Sequence, residues 1–201
     1  MPAAMPRLTA FDFDGTLTYK DSFVSFLFDL FGLTGVALAL LLKPSLLLGY
    51  LATRDRGALK AGLLHALAGA MPREALAARM TDFAARTGHG LFRPDALETW
   101  QGTDGLRVIV TASPEMLVAP FGALIGADRV IGTRLGFSAD GRLLPRLDGP
   151  NCRGQEKVRR LREAFGPDVT LDAAYGDTDG DRDMLAFARQ PHYRVFTRRT
   201  V

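Results

Sequence analysis

The chain is short of the features that mark secreted, metal-thiolate and nucleic-acid-binding proteins. Cys152 is its single cysteine, which excludes a disulfide framework or a cysteine metal cluster and fits a reducing compartment. Charge of one sign is also lacking: Lys+Arg number 25 against Asp+Glu 22, with no basic stripe interleaved with aromatics. Nucleic acid is therefore not an expected partner. No apolar segment of signal-peptide layout precedes the first strand in MPAAMPRLTAFDF, so a cytoplasmic location is the expectation. Within the greasy region at residues 23–51, the longest uncharged run covers only residues 30–42, short of the roughly 20 residues of a membrane-spanning helix.

What is present suits one globular domain, or a core with an inserted subdomain: 201 residues, 47% hydrophobic and 23% charged. RLTAFDF at residues 7–13 reads as a short buried strand. From about 22 to 87 the pattern is helical, with Pro72 at a helix start and Gly88-His89-Gly90 as a closing signal. LRVIVTA (106–112) has strand length and is followed by a helix. Residues 129–147 read as a β-hairpin turning at Asp140-Gly141. GQEKVRRLREAFG then reads as a helix, LDAAYGDT as a strand ending in acid, DRDMLAFARQ as a helix and YRVF as a last strand. This is an α/β pattern: a parallel sheet of βαβ units with a helical block inserted after the first strand.

Three of these strand ends carry polar groups. Asp12 and Asp14 alternate along one strand, so their carboxylates point the same way and repel unless a cation or a shared proton relieves them. Thr111 ends the second strand, where its hydroxyl and the next helix start can bind an anion. Asp177 ends a later one, in YGDTDGDRDML. A calcium loop would need Gly at its sixth position and Glu at its twelfth, but Gly180 is fourth and Ala188 twelfth. Hard oxygen ligands from two loops suit magnesium instead. Lys157, in GQEKVRRL, offers a cation that would offset the acids and bind phosphate oxygens. Chemistry in open α/β sheets sits beyond the carboxyl ends of the strands, which is where all of these residues are expected.

Taken in order, Asp12-Phe13-Asp14-Gly15-Thr16, Thr111, Lys157 and Gly176-Asp177-Thr178-Asp179-Gly180-Asp181 resemble the four motifs of the haloacid dehalogenase superfamily, in its phosphatase branch. The helical insert resembles the cap of the phosphoserine-phosphatase-like subfamily. The resemblance implies a Rossmann-like core of residues 1–18 and 91–201 and a helical cap of residues 19–90. It makes Asp12 the nucleophile forming an aspartyl-phosphate, and Asp14 the general acid and then base. The side chains of Asp12 and Asp177 and the backbone carbonyl of Asp14 would hold Mg2+, with Asp181 a further metal-site residue. Thr111 and Lys157 would bind the transferring phosphoryl group. An aspartate at position 14 favours a phosphatase or mutase over a dehalogenase or an ion-pumping ATPase.

The substrate is less legible. Asp21 stands where phosphoserine phosphatases carry a substrate-contacting glutamate. The apolar residues 23–51 resemble, more loosely, the phosphatidylglycerophosphatase C group, which dephosphorylates a lipid. They read as a pair of buried or half-buried helices split near Lys43-Pro44, with an interfacial hairpin at a membrane as the alternative. Arg54, Arg56 and Lys60 follow, positioned either to meet lipid headgroups or to form a solvated helix face. The expected function is a magnesium-dependent phosphomonoesterase acting on a phosphate monoester, with a lipid phosphate such as phosphatidylglycerophosphate and small soluble phosphates both open. The alternatives are a soluble small-molecule phosphatase, a phosphoryl transferase or mutase, and a membrane-associated binding protein without catalysis.

Overall fold

A computed structural model describes residues 7–198. Strand β1 (Leu8–Phe11) is followed by helices α1 (Ser22–Leu42), α2 (Pro44–Thr53), α3 (Arg56–Ala68), α4 (Arg73–Leu91) and α5 (Pro94–Gln101). Then come β2 (Leu106–Pro114), α6 (Glu115–Leu124), β3 (Arg129–Thr133), β4 (Leu135–Phe137), β5 (Leu143–Leu147) and α7 (Gln155–Phe165). The last elements are β6 (Leu171–Gly176), α8 (Arg182–Phe187) and β7 (Ala188–Tyr193). The main sheet runs β3-β2-β1-β6-β7, and all its pairs are parallel. The expected α/β architecture with a parallel sheet is present.

The sheet is covered on both faces, as parallel sheets are. Alternation along the strands sends Leu8, Ala10, Val108 and Val110 into a core with Leu161 of α7 and Met184 of α8. It sends Phe11 and Ile109 to the other face, against Trp100, Leu117 and Phe121. Strand order reverses direction beside β1, which places a crevice at the carboxyl ends of β1 and β6, the usual ligand position in such sheets.

The helices α1–α4 start and finish at a pair of adjacent linkers and share one hydrophobic core with the sheet, through Phe26, Leu64, Leu76 and Phe83 against Phe11 and Phe121. Tyr19 N–H donates to the Leu91 carbonyl at 3.1 Å, and Arg93 N–H donates to the Leu17 carbonyl at 2.8 Å. A second tie is the β4–β5 hairpin. His65 Nδ1 of α3 donates to the Leu143 carbonyl at 2.8 Å, and Arg73 N–H donates to the Gly141 carbonyl at 3.1 Å.

Four features differ from the sequence reading. The hairpin is only 135–147, because Arg129–Thr133 instead joins β2 as a parallel strand; no turn residue separates the two runs. Helix α4 continues through Gly88 and Gly90 to Leu91. The last strand is Ala188–Tyr193 rather than 193–196. It is an edge strand containing Pro191 and lacking the apolar alternation that sequence patterns detect, whereas Phe196 folds back to stack on Tyr175. Of the greasy helices, read as buried or half-buried, α1 is half-buried and α2 departs from the reading. Past Val36, α1 has no buried residue and α2 has none at all, while Leu33 and Leu41 are 71% and 75% exposed.

The core face beneath the insert hinges on Trp100, which is fully buried, tilts against Phe11 at 4.9 Å and donates its Nε1–H to the Ile125 carbonyl at 2.8 Å. Trp100→Ala should destabilise the fold by about 3–5 kcal/mol, read as a lowered midpoint in urea unfolding followed by far-UV circular dichroism.

Candidate active site

The carboxyl ends of β1, β2 and β6 converge as the motif order requires. Asp12 and Asp14 follow β1, Thr111 lies in β2 and Asp177 follows β6 directly. Lys157 reaches them from the first turn of α7, and its side chain is 1% exposed. Its Nζ donates at 2.6 Å to Asp12 Oδ1, to Asp181 Oδ1 and to the Val110 carbonyl. All three protons of the ammonium are thereby used, which a buried charge requires.

Asp181 is fixed from its other oxygen. Oδ2 accepts from the Thr178 N–H and hydroxyl, each at 2.9 Å, and from the Asp177 N–H at 3.2 Å. One ammonium is thus shared between two carboxylates, and the electrostatics follow from that. Burial, with Asp181 and Asp14 close by, pushes the Asp12 carboxyl up to about 7 despite Lys157. Burial acts the same way on Asp181, but Lys157 and the Thr178 donors outweigh it and hold that carboxyl low. Burial works against the Lys157 ammonium, yet Asp12 and Asp181 outweigh it and raise its pKa.

Asp14 faces the helical insert. Its Oδ1 accepts from the Ser22 N–H at 2.7 Å, and its Oδ2 accepts from the Ser113 hydroxyl at 2.5 Å. Burial and then the Asp21 charge raise its pKa, against Lys60, Ser113 and Ser22. A carboxyl raised in this way is suited to carry a proton. Lys60 of α3 donates to Ser113 Oγ at 3.3 Å and lies 3.7 Å from the Asp21 carboxylate. A line of contacts therefore runs from the insert through Ser113 to Asp14.

Carboxylate oxygens of Asp12, Asp177 and Asp181 lie within 4.8 Å of one another. This hard-oxygen set fits magnesium. Thr16 Oγ1 donates to Asp177 Oδ1 at 3.3 Å, while burial and the Asp181 charge raise the Asp177 pKa. Gly15, at φ +91°, lets the chain pass Asp177, since a Cβ there would meet Asp177 Oδ2 at 2.2 Å.

A cavity of about 500 Å³ opens over these groups, lined by Asp12, Asp14, Thr111, Lys157 and Asp181 together with Asp21, Arg56 and Lys60. Its far wall is apolar: Phe23, Leu27, Phe28, Val36, Leu59 and Leu63. Asp21 also caps α1 by accepting from the Val24 N–H at 2.9 Å. Arg54 is not in this wall. It is the exposed, left-handed cap of α2, stacked over the Tyr50 ring at 5.9 Å.

Two residues of the site escaped the sequence reading. Ser113 lies two positions beyond Thr111, on the same side of β2, and that spacing was its only signal. Arg153 lines the cavity with its guanidinium laid over Gly180, where a Cβ would come within 2.9 Å of it. Nothing in the local sequence marked it.

The family model of haloacid dehalogenase-like hydrolases matches residues 9–186, all four motif segments included. The chain belongs to this family. Among curated relatives, Protein CicA of Caulobacter vibrioides is 50% identical over 194 residues, covering 95% of this chain and 87% of the relative. Among solved structures, a protein of unknown function from Bordetella pertussis superposes with a TM-score of 0.73 at 23% identity, covering 91% of this chain and 87% of that one. A phosphoserine phosphohydrolase-like protein from Francisella tularensis gives 0.58 at 17% identity, covering 93% and 85%. At these identities the two structures share the haloacid dehalogenase-like fold with this hydrolase.

The crowded carboxylates make a stability prediction with a definite sign. The Asp12 pKa is higher folded, at about 7, than its ordinary 3.8. Its favourable contribution is therefore complete below the lower value and lost as pH rises through the upper one. In chelator, Asp12→Asn should raise the melting temperature by several degrees at pH 8, a gain that shrinks toward pH 4. A lower melting temperature at pH 8 would show that the Lys157 pairing outweighs the burial.

Proposed function

We propose that this hydrolase is a magnesium-dependent phosphomonoesterase working through an aspartyl-phosphate on Asp12, with residues 19–90 acting as its cap. The observation that carries the reading is the division of labour between the two aspartates that follow β1. Asp12 is tied to Lys157 at the floor of the cavity. Asp14, its pKa raised, is held two residues on by Ser113 and the start of α1.

In the first half-reaction Asp12 attacks phosphorus, and the bond from phosphorus to the ester oxygen breaks. Asp14 gives its proton to the leaving alcohol. In the second half-reaction Asp14 takes a proton from water, which attacks the same phosphorus and frees inorganic phosphate and the Asp12 carboxylate. Lys157 and Thr111 bind the transferring phosphoryl group, and Lys157 keeps Asp12 in place through both halves. The Asp12 and Asp177 carboxylates and the Asp14 carbonyl would hold the magnesium ion, supported by Asp181, and the ion would neutralise charge on the phosphoryl oxygens. Arg153 adds a second cation at the cavity wall, suited to phosphate oxygens.

The apolar far wall supports a substrate whose alcohol part is itself apolar, as in a lipid phosphate, over phosphoserine. Asp21, Arg56 and Lys60 are then left for the polar part near the phosphate. A phosphoryl transferase or mutase would use the same first half-reaction, and product analysis separates it from a hydrolase. A binding protein without catalysis has no use for the intact set of Asp12, Asp14, Lys157 and Asp177.

The test is release of inorganic phosphate across a panel of phosphatidylglycerophosphate, lysophosphatidate, phosphoserine and sugar phosphates. The lipid esters are the expected substrates, and preference for phosphoserine would overturn that choice. Hydrolysis of an aryl phosphate should vanish on exhaustive chelation and return with Mg2+. Full activity without a divalent ion would remove the metal assignment. Asp14→Asn should lower kcat by about 10²–10⁴-fold if general acid–base catalysis is its role. Single-turnover measurement should show both formation and hydrolysis of the acyl phosphate slowed.

A further inference from the structure

We infer that the outer face of α1 and α2 is a docking surface for an anionic lipid bilayer, which the enzyme contacts without spanning it. The face is large and aliphatic: Leu33, Leu38, Leu41, Leu42, Leu48 and Leu51 are all exposed. An 18-residue window of α1 has mean hydropathy 2.1 with only 17% of it buried. Soluble monomers rarely leave such a patch uncovered.

The geometry excludes a transmembrane role for α1. Gly32, at φ 67° and ψ 170°, breaks the helix into residues 22–31 and 33–42. Each piece rises about 15 Å, half of the roughly 30 Å hydrocarbon core. The first piece is anchored in the fold by Phe23, Phe26 and Leu27. Helix α2 is held by Leu46 against Gly62 of α3, where a Cβ would meet Leu46 at 2.4 Å. What remains outside is an apolar hairpin fixed to the body, the form of an interfacial helix pair.

Charge selects the occupant. No carboxylate occurs between Asp29 and Asp55, while Lys43 sits at the turn of the hairpin and Arg54 and Arg56 at its base. Lys43, Arg54 and Arg56 are exposed and form no ion pair with a described residue. In a two-fold contact centred on this face, Lys43 would find no acid among residues 30–54 to meet it, and the exposed face between residues 33 and 51 is mostly aliphatic, broken by Thr34, Lys43 and Ser45 and without an exposed aromatic, unlike the aromatic- and arginine-rich centre of protein interfaces. Anionic headgroups complement both features. The same helices supply Phe23, Leu27, Phe28, Val36 and Tyr50 to the cavity wall, so the bilayer face adjoins the cavity over Asp12. The inference concerns attachment and stands apart from the phosphatase reading.

The experiment is co-sedimentation of the full chain with vesicles of phosphatidylcholine and phosphatidylglycerol at 3:1, beside vesicles of phosphatidylcholine alone. Leu41→Glu/Leu48→Glu is measured in parallel; neither residue lines the cavity. The wild-type protein should bind, more tightly to the anionic vesicles and less so at high salt. The double variant should lose binding by at least about 100-fold while keeping its circular dichroism and its rate on a soluble aryl phosphate. Absence of wild-type binding to either vesicle would overturn the inference. So would a dimer in analytical ultracentrifugation that the double variant dissociates and that vesicles fail to compete. If vesicle binding holds but no ester is cleaved, the phosphatase reading fails and the docking surface stands.

Discussion

The Lys157 ammonium, buried and shared between Asp12 and Asp181, is the constraint on which the site depends. Each of its three donors has a fixed acceptor on a different segment: the residue after β1, the β2 backbone and the turn after β6. Together they satisfy the ammonium in a dry interior, where a wholly unpaired charge would cost several kcal/mol. The ion group therefore acts as a rivet between three neighbouring strands as well as a chemical site. Asp181 is the more static partner, held by Lys157 on one oxygen and by Thr178 and the Asp177 amide on the other. Asp12 has only its Oδ1 tied to a side chain among the described residues, by Lys157.

The second constraint is how the helical insert meets this rivet. The linkers at residues 17–19 and 91–93 hydrogen-bond to each other, so the insert begins and ends at one place beside Asp14. Ser22, the first residue of α1, and Ser113 of β2 both donate to Asp14, and Lys60 joins Ser113 to Asp21. Asp14 thus takes its orientation from the insert as much as from the sheet. A change in the packing of α1 or α3 would be felt at Asp14 before it was felt at Asp12.

The apolar residues of the insert do two different jobs that composition alone does not separate. Phe23, Phe26 and Leu27 bind α1 to the fold, and Phe23 and Leu27 also shape the cavity, whereas most leucines beyond Gly32, among them Leu33, Leu38, Leu41 and Leu42, stay outside. The break at Gly32 divides the two groups, because a left-handed residue re-aims the second half of the helix. Burial is consequently decided by backbone direction rather than by hydrophobicity.

The sequence by itself determined the α/β class, the order of motifs at Asp12, Asp14, Thr111, Lys157 and Asp177, and the separation of α1 from α2 at Lys43-Pro44. These are local signals: alternation, punctuation by Pro and Gly, and acids ending apolar runs. Only the tertiary structure decided which leucines face outward, that residues 129–133 join the sheet instead of a hairpin, and that the last strand precedes YRVF. It alone brought Ser113 to Asp14, laid Arg153 over Gly180 and left Arg54 outside the cavity. Each of these depends on contacts between residues far apart in the chain, where strand pairing and helix direction override local pattern. The rivet itself lies between the two cases. The sequence supplies its residue types, but only the fold sets one lysine equidistant from two carboxylates.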